Sequence, residues 1–235
     1  MNQNAEKLEL RLTLKKRLRR VLFSLFIQKI FLSGSKARVT RLSAQFVFKT
    51  HEEFPEAKFF HSREKLWSSF AGTIGDKPWI GFEFGVASGD ATKTFLKMPY
   101  AVNCLQWNGF DTFFGLPNAW GDLSAGAFST NGVPPKIENQ IVNWHVGLIE
   151  KTCTNIQTLN LLDQRFIVIF DFDLYSATKS AWTAIEPHLK SGDILYFDEA
   201  YESDESQIIE EIIASKKLYF RVLGYTTMGI AFVIN

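Results

Sequence analysis

From Pro78 onward the apolar residues fall in short blocks separated by turn-forming and polar stretches. Trp79-Ile80-Gly81-Phe82-Glu83-Phe84 has the length and make-up of a buried strand, residues 85–89 those of a turn, and residues 90–97 those of a helix. Apolar runs at 101–106, 140–146, 166–170 and 194–197 predict further strands, and helical periodicity runs at about 175–189 and 204–216. Strands that alternate with helices in this way belong to a mainly parallel sheet. The chain ends on two apolar runs, 218–223 and 230–234, flanking Gly224-Tyr225-Thr226-Thr227-Met228-Gly229, the pattern of a closing hairpin. Upstream, Ser62-Arg63-Glu64-Lys65-Leu66-Trp67 opens a helix with Ser62 as its cap, and Gly72 and Gly75 end it.

Residues 6–32 carry a different pattern. Leu14, Leu18, Val21, Leu22 and Leu25 recur at helical spacing, with Lys15, Lys16, Arg17, Arg19 and Arg20 between them, so the segment reads as a basic amphipathic helix. A membrane span needs roughly 20 apolar residues, and this run is interrupted by Gln28 and Lys29. A secretory signal is not expected, given the long charged leader with its two acids and the lack of a clean small-x-small site after the apolar run. Two readings stand: peripheral contact with an anionic membrane surface through residues 6–32, or packing on the domain or a partner subunit with the basic face in water. The chain is accordingly read as a basic helical extension over 1–41 and one α/β domain over 42–235, with a homo-oligomer expected on general grounds.

Charge sharpens this division. The net charge of +1 conceals eleven Lys/Arg against Glu6 and Glu9 in residues 1–41, net +9, which leaves −8 for the other 194 residues. An acidic body argues against a nucleic-acid partner, whose phosphates need basic stripes. Cys104 and Cys153 are far apart and without CxxC partners, so neither a disulfide framework nor a cysteine-ligated zinc is expected, and the cytoplasm, or the cytoplasmic face of a membrane, is the expected location.

Three acidic motifs carry the candidate chemistry. Glu83-Phe84-Gly85-Val86-Ala87-Ser88-Gly89-Asp90 joins the first predicted strand to its helix. It is GxxxG behind an acid, not the GxGxxG of a dinucleotide loop, and the carboxylate disfavours a phosphate while suiting a cationic ligand. A plain structural turn would use the same glycines. Asp111, 28 residues after Glu83, follows the second strand, where an acid accepts hydrogen bonds from ribose hydroxyls, or else caps a turn. Asp171-Phe172-Asp173 and Asp198-Glu199 each follow an apolar strand and therefore belong at the carboxyl edge of the sheet. Asp171 and Asp173, two apart, share a face if the strand persists. Carboxylates gathered in one crevice require raised pKa values or a hard cation such as Mg²⁺, unless they cap helices or bind Lys and Arg on the rim.

The ordered set of motifs resembles the bacterial methyltransferases related to the macrocin O-methyltransferases of macrolide sugar biosynthesis. The matching blocks are Glu83-Phe84-Gly85-Val86 with Gly89, Phe110-Asp111-Thr112-Phe113-Phe114-Gly115-Leu116-Pro117, Asp171-Phe172-Asp173-Leu174-Tyr175 with Thr178, and Phe197-Asp198-Glu199. The resemblance implies a Rossmann-like class I methyltransferase fold: a seven-stranded, mainly parallel sheet with a C-terminal antiparallel hairpin, plus N-terminal helices. It implies S-adenosylmethionine bound by Glu83, Gly85, Gly89 and Asp111, Mg²⁺ held by Asp171, Asp198 and Glu199, and Asp173 as general base toward a hydroxyl of a sugar, small molecule or glycoconjugate. Better-known members carry Asp-Asp or Asp-Asn where this chain has Asp198-Glu199, so the longer side chain bears on whether the metal is held. A non-catalytic binding protein on the same fold and a nicotinamide oxidoreductase are the competing classes. Residues 116–136, with Trp120 and Phe128, form either an acceptor lid or a loop anchored by its aromatics, and His145 is expected to be a satisfied edge histidine.

Overall fold

The computed structural model describes residues 35–119, 123–159 and 164–235, so the basic stretch 6–32 and Trp120 lie outside it. The chain divides into two compact units between Gln45 and Phe46, within helix α1 (Ser35–Glu53). The described part of the first unit is the opening of that helix. The second holds, in chain order, β1 (Lys58–Phe59), α2 (Arg63–Ser68), α3 (Ala71–Ile74), β2 (Trp79–Phe84), α4 (Asp90–Phe95), β3 (Cys104–Asp111), β4 (Val142–Val146), α5 (Ile149–Thr152), β5 (Arg165–Phe170), α6 (Tyr175–Ile185), β6 (Ile194–Phe197), α7 (Ser203–Ser215), β7 (Phe220–Tyr225) and β8 (Ile230–Ile234). Among the described residues no helix is long and apolar enough to cross a membrane.

The strands form one sheet in the order β1-β7-β8-β6-β5-β2-β3-β4. Every neighbouring pair is parallel except those of β8, which runs antiparallel to β6 and β7 and so closes the chain as the expected hairpin strand. The α/β fold with its C-terminal hairpin matches the expectation, and the two-residue β1 adds an eighth strand at the edge beside β7. Chain order builds outward from β2 through β3 to β4, then returns to pair β5 on the other side of β2. That reversal opens a crevice at the carboxyl end of β2, the place where open α/β sheets bind ligands.

Period-two alternation assigns the two faces. Phe166, Val168 and Phe170 point into a core shared with Trp182 and Ile185 of α6 and Ile208 and Ile212 of α7. Ile167 and Ile169 point to the opposite face, where Leu66 and Trp67 of α2, Ile74 of α3 and Phe95 of α4 cover the sheet. Both faces of the central strands are thus dry, which is why β2 and β6 are buried at every position.

Two expected elements shift. Residues 101–103 lie in the 3₁₀ turn Pro99–Asn103, since proline fixes φ and offers no N–H to a ladder, and the strand runs on instead through Cys104–Asp111. Its polar stretch hid it: Asn108 is buried, with its amide donating to the Gly81 carbonyl at 3.4 Å and its Oδ1 accepting from Gln106 at 3.0 Å. The second shift is that β5 ends at Phe170, so Asp171 and Asp173 do not share a strand face; Asp173 instead adopts φ +62° in the turn that follows.

Phe82 is fully buried and packs edge-to-face on Phe166 with centroids 5.2 Å apart. Phe82→Ala therefore costs about 3–5 kcal/mol of unfolding free energy in a denaturant titration, while Val102→Ala, at an 84% exposed position, stays within about 0.5 kcal/mol.

Candidate active site

The carboxyl ends of β2, β3, β5 and β6 surround a cavity of about 370 Å³ whose wall includes Glu83, Gly85, Asp111, Asp171, Asp173, Asp198 and Glu199. Seven of the eight residues singled out from sequence thus meet in one crevice. The eighth, Gly89, stands apart from the wall: it caps α4 at φ +73°, and a Cβ there would lie 2.8 Å from Pro135. Gly85 is required at its place on two counts, a φ of +91° and a Cβ position only 1.9 Å from the Asp171 carbonyl oxygen. It is where the turn after β2 crosses the end of β5 in near contact.

Glu83 is buried, and one carboxyl oxygen accepts hydrogen bonds from the Thr92 hydroxyl and from the Trp107 indole N–H, the latter at 2.9 Å. Burial pushes its pKa up to about 7; the Thr92 and Trp107 bonds oppose that rise, and the nearby Asp111 charge adds to it. Asp111 organises the turn. Its Oδ2 accepts from the backbone amides of Val86 and Ala87, both at 2.8 Å, and its Oδ1 from that of Phe113 at 2.7 Å. Those three bonds leave a carboxylate about one of its four lone-pair positions for a ligand, so it has room for one hydroxyl rather than two.

On the far wall the acids are compensated in pairs. Asp198 Oδ2 accepts from Arg63 Nη1 at 2.9 Å, and its Oδ1 accepts from the Tyr196 hydroxyl at 2.5 Å. Burial would lower the Arg63 pKa, but the Asp198 and Asp171 charges outweigh it and hold the guanidinium firmly protonated. Burial raises Glu199, and Asp173 beside it raises it further; the two carboxyl groups share a hydrogen bond, so one proton serves the pair, with Asp173 the more acidic member. The Glu199 backbone amide in turn donates to buried Glu205 at 3.0 Å. Asp171 is half-buried as a residue, but its carboxyl group is withdrawn from water and stays well above the usual carboxylate range, through burial first and then Asp198 and Asp173. Among the described residues no three His, Cys, Asp or Glu side chains come together as a metal-binding group.

The loop after β3 is tied rather than open. The Leu116 amide donates to the Ala127 carbonyl at 3.0 Å, and the Thr130 and Gly132 amides donate to the Phe113 carbonyl at 3.0 and 2.8 Å. Phe128 reaches the cavity wall while remaining 55% exposed. His145 is held between Asn108 and Asn155, each at 3.2 Å, and stacks on Phe110 with centroids 4.3 Å apart, as a satisfied edge histidine should. Sequence reasoning missed Arg63, Thr92, Trp107 and Tyr196. Arg63 and Thr92 lie in predicted helices that carry no expected site residue, Tyr196 adjoins the Asp198-Glu199 motif without a role of its own, and Trp107 falls just past the predicted run 101–106.

No family model matches the chain, and no curated protein matches it. Solved structures do. CalS11, a calicheamicin methyltransferase, is 20% identical with a TM-score of 0.56 over 88% of this chain and 96% of its own. An apo structure of CalS11, described as a TDP-rhamnose 3'-O-methyltransferase, is 22% identical with a TM-score of 0.52 over 86% and 97%. The O-methyltransferase NovP is 12% identical with a TM-score of 0.52 over 72% and 79%. The chain has the Rossmann-like fold of these methyltransferases.

Because the folded-state pKa of Glu83 lies near 7 against an ordinary 4.5, its contribution to stability is fully present below about pH 4.5 and is lost as pH rises through about 7. Glu83→Gln keeps an acceptor for Thr92 and Trp107 without the charge. Denaturant titrations across this range should show the wild type losing up to about 3 kcal/mol more than the variant as pH rises; equal slopes would mean that Glu83 titrates normally.

Proposed function

We propose that the chain is an S-adenosylmethionine-dependent methyltransferase that methylates a hydroxyl of a sugar or related small molecule. The observation that carries this reading is the acidic crevice at the sheet's switch point, with the Gly85 turn and Asp111 on one wall and Asp173 on the other. Its volume suits a small-molecule ligand. Its sign suits one that bears a sulfonium and an ammonium. That CalS11 is a TDP-rhamnose 3'-O-methyltransferase and NovP an O-methyltransferase favours oxygen as the acceptor atom.

The residues fit the cofactor. Glu83 would meet its ammonium, the turn at Gly85, packed directly against the Asp171 backbone, lines the crevice beside it, and Asp111 has acceptor capacity left for one ribose hydroxyl. The bound cofactor supplies an electrophilic methyl group: the acceptor oxygen bonds to that carbon, and the carbon–sulfur electron pair returns to sulfur. Asp173 takes the hydroxyl proton. Burial raises its pKa to about 6, against the Glu199 hydrogen bond that lowers it, and this brings the carboxylate closer to the strength that such a transfer needs at neutral pH. The acceptor side of the wall contains Leu116, Pro117, Phe128 and Leu148, apolar surfaces suited to the faces of a sugar ring. The acids opposite disfavour an anionic acceptor.

The expected Mg²⁺ set does not fit in this arrangement. Asp198 is bonded to Arg63 and Tyr196 and Glu199 is paired with Asp173, and among the described residues no three such side chains gather as a metal-binding group.

Calorimetric titration with S-adenosylhomocysteine should give binding that weakens about tenfold to a hundredfold in Glu83→Gln, the loss of one charge-assisted hydrogen bond. An ammonium beside a carboxyl group titrating near 7 also displaces its proton. Binding enthalpies at neutral pH should therefore depend on the buffer's ionisation enthalpy in wild type and not in the variant. Absence of binding would refute the reading. With a panel of neutral sugars and sugar derivatives as acceptors, Asp173→Asn should depress turnover by at least about a hundredfold with cofactor affinity unchanged; equal loss of both would remove Asp173 from the chemistry.

A further inference from the structure

Arg63 opens α2 directly after its Ser62 cap, and its side chain crosses the Trp67 ring, with the guanidinium carbon 5.1 Å from the centroid, before entering the cavity. This cation–π contact with the indole helps hold the guanidinium in place. One nitrogen binds Asp198 at 2.9 Å and Nε lies 3.8 Å from Glu64. A guanidinium has five N–H donors in a fixed fork; with the side chain 36% exposed against 13% for Asp198, donors remain for a ligand in the cavity.

The position is the one where a cation is needed most. Asp198 and Asp171 both act on Arg63 electrostatically, and these are two of the three carboxylates that the resemblance assigned to a metal. A divalent ion entering between them would have to displace a charge that is already hydrogen-bonded and held over the Trp67 ring. It would also find Glu199 turned to Asp173.

We propose that the Arg63 guanidinium stands where a divalent cation would otherwise sit, so that Asp171, Asp198 and Glu199 bind no divalent metal and Arg63 itself offers N–H donors to the acceptor oxygen. The second half rests on the methyl-transfer reading, whereas the exclusion of metal does not. A guanidinium stabilises negative charge developing on the acceptor oxygen by hydrogen bonding without lowering the hydroxyl pKa as far as a metal does. Proton removal by Asp173 then accompanies methyl transfer.

The test uses Mn²⁺ as the probe, its free-ion paramagnetic resonance signal followed with the full-length protein, and S-adenosylhomocysteine titrated into the same samples. Wild type and Arg63→Lys are expected to leave the Mn²⁺ signal unchanged at millimolar ion. Arg63→Gln, which keeps much of the stem over Trp67, is expected to bind one Mn²⁺ at least about a hundredfold more tightly, the effect of removing one nearby positive charge. That binding should vanish when Asp198→Asn is added. Micromolar Mn²⁺ binding by wild type that disappears in Asp198→Asn overturns the proposal, whether or not the Arg63 variant folds. Failure of a folded Arg63→Gln to bind Mn²⁺ overturns it too, since Arg63 would then not be what keeps the ion out. Loss of S-adenosylhomocysteine binding by the wild type would refute the methyltransferase reading and leave the metal comparison standing.

Discussion

Six of the eight acidic residues lining one cavity at the carboxyl ends of four strands are Glu83, Asp111, Asp171, Asp173, Asp198 and Glu199, and the mutual repulsion of their carboxyl groups is the constraint that the surrounding structure answers. In a site partly withdrawn from water such charges interact far more strongly than on a surface. The chain meets the constraint by three means. Asp111 is compensated by three backbone amides. Asp198 is compensated by a guanidinium and a phenol. Glu83 and the Asp173–Glu199 pair are compensated by retained protons, the first near neutral pH and the second by sharing.

These solutions are unequal, and the inequality gives the cavity two ends. The Glu83–Asp111 wall is rigid, because the Asp111 carboxylate also holds the amides that follow Gly85 and Glu83 is tied to Thr92 and Trp107; on the proposed reading a cation arriving there replaces a proton. The Asp173–Arg63 wall sets a carboxyl group of raised pKa near a fixed positive charge, which under the proposed function is the pairing needed where a hydroxyl loses its proton and the oxygen gains a new bond. Both ends hang on strand termini whose register is fixed by cores on the two sheet faces, so placement of the groups depends on packing far from the chemistry. The negative balance of residues outside 1–41 extends the same selectivity outward, favouring cationic or neutral ligands over anionic ones.

Much of this was legible in the sequence. The runs at 79–84, 166–170 and 194–197 became β2, β5 and β6 with little change because each is apolar on both faces, a pattern independent of neighbours. Acids placed just past those strands were bound to arrive at one sheet edge. The strand β3 was obscured because Asn108 is polar yet buried, a choice intelligible only once its hydrogen bonds to other strands are known. The shared face of Asp171 and Asp173 was conditional on the strand persisting, and that condition is not met: the ladder stops at Phe170 and a left-handed residue redirects the chain, which the two-residue spacing does not reveal. Arg63 carried no signal at all. It lies 135 positions from its partner Asp198, and no local pattern announces a pair made only by the fold.

A crystal structure of the full chain grown with S-adenosylhomocysteine tests the central claim most directly. The account predicts ligand density inside the crevice, its amino group against Glu83, one ribose hydroxyl on Asp111, and the sulfur facing the side that carries Asp173 and Arg63. Density elsewhere on the molecule, or a ligand whose amino group lies away from Glu83, would contradict it.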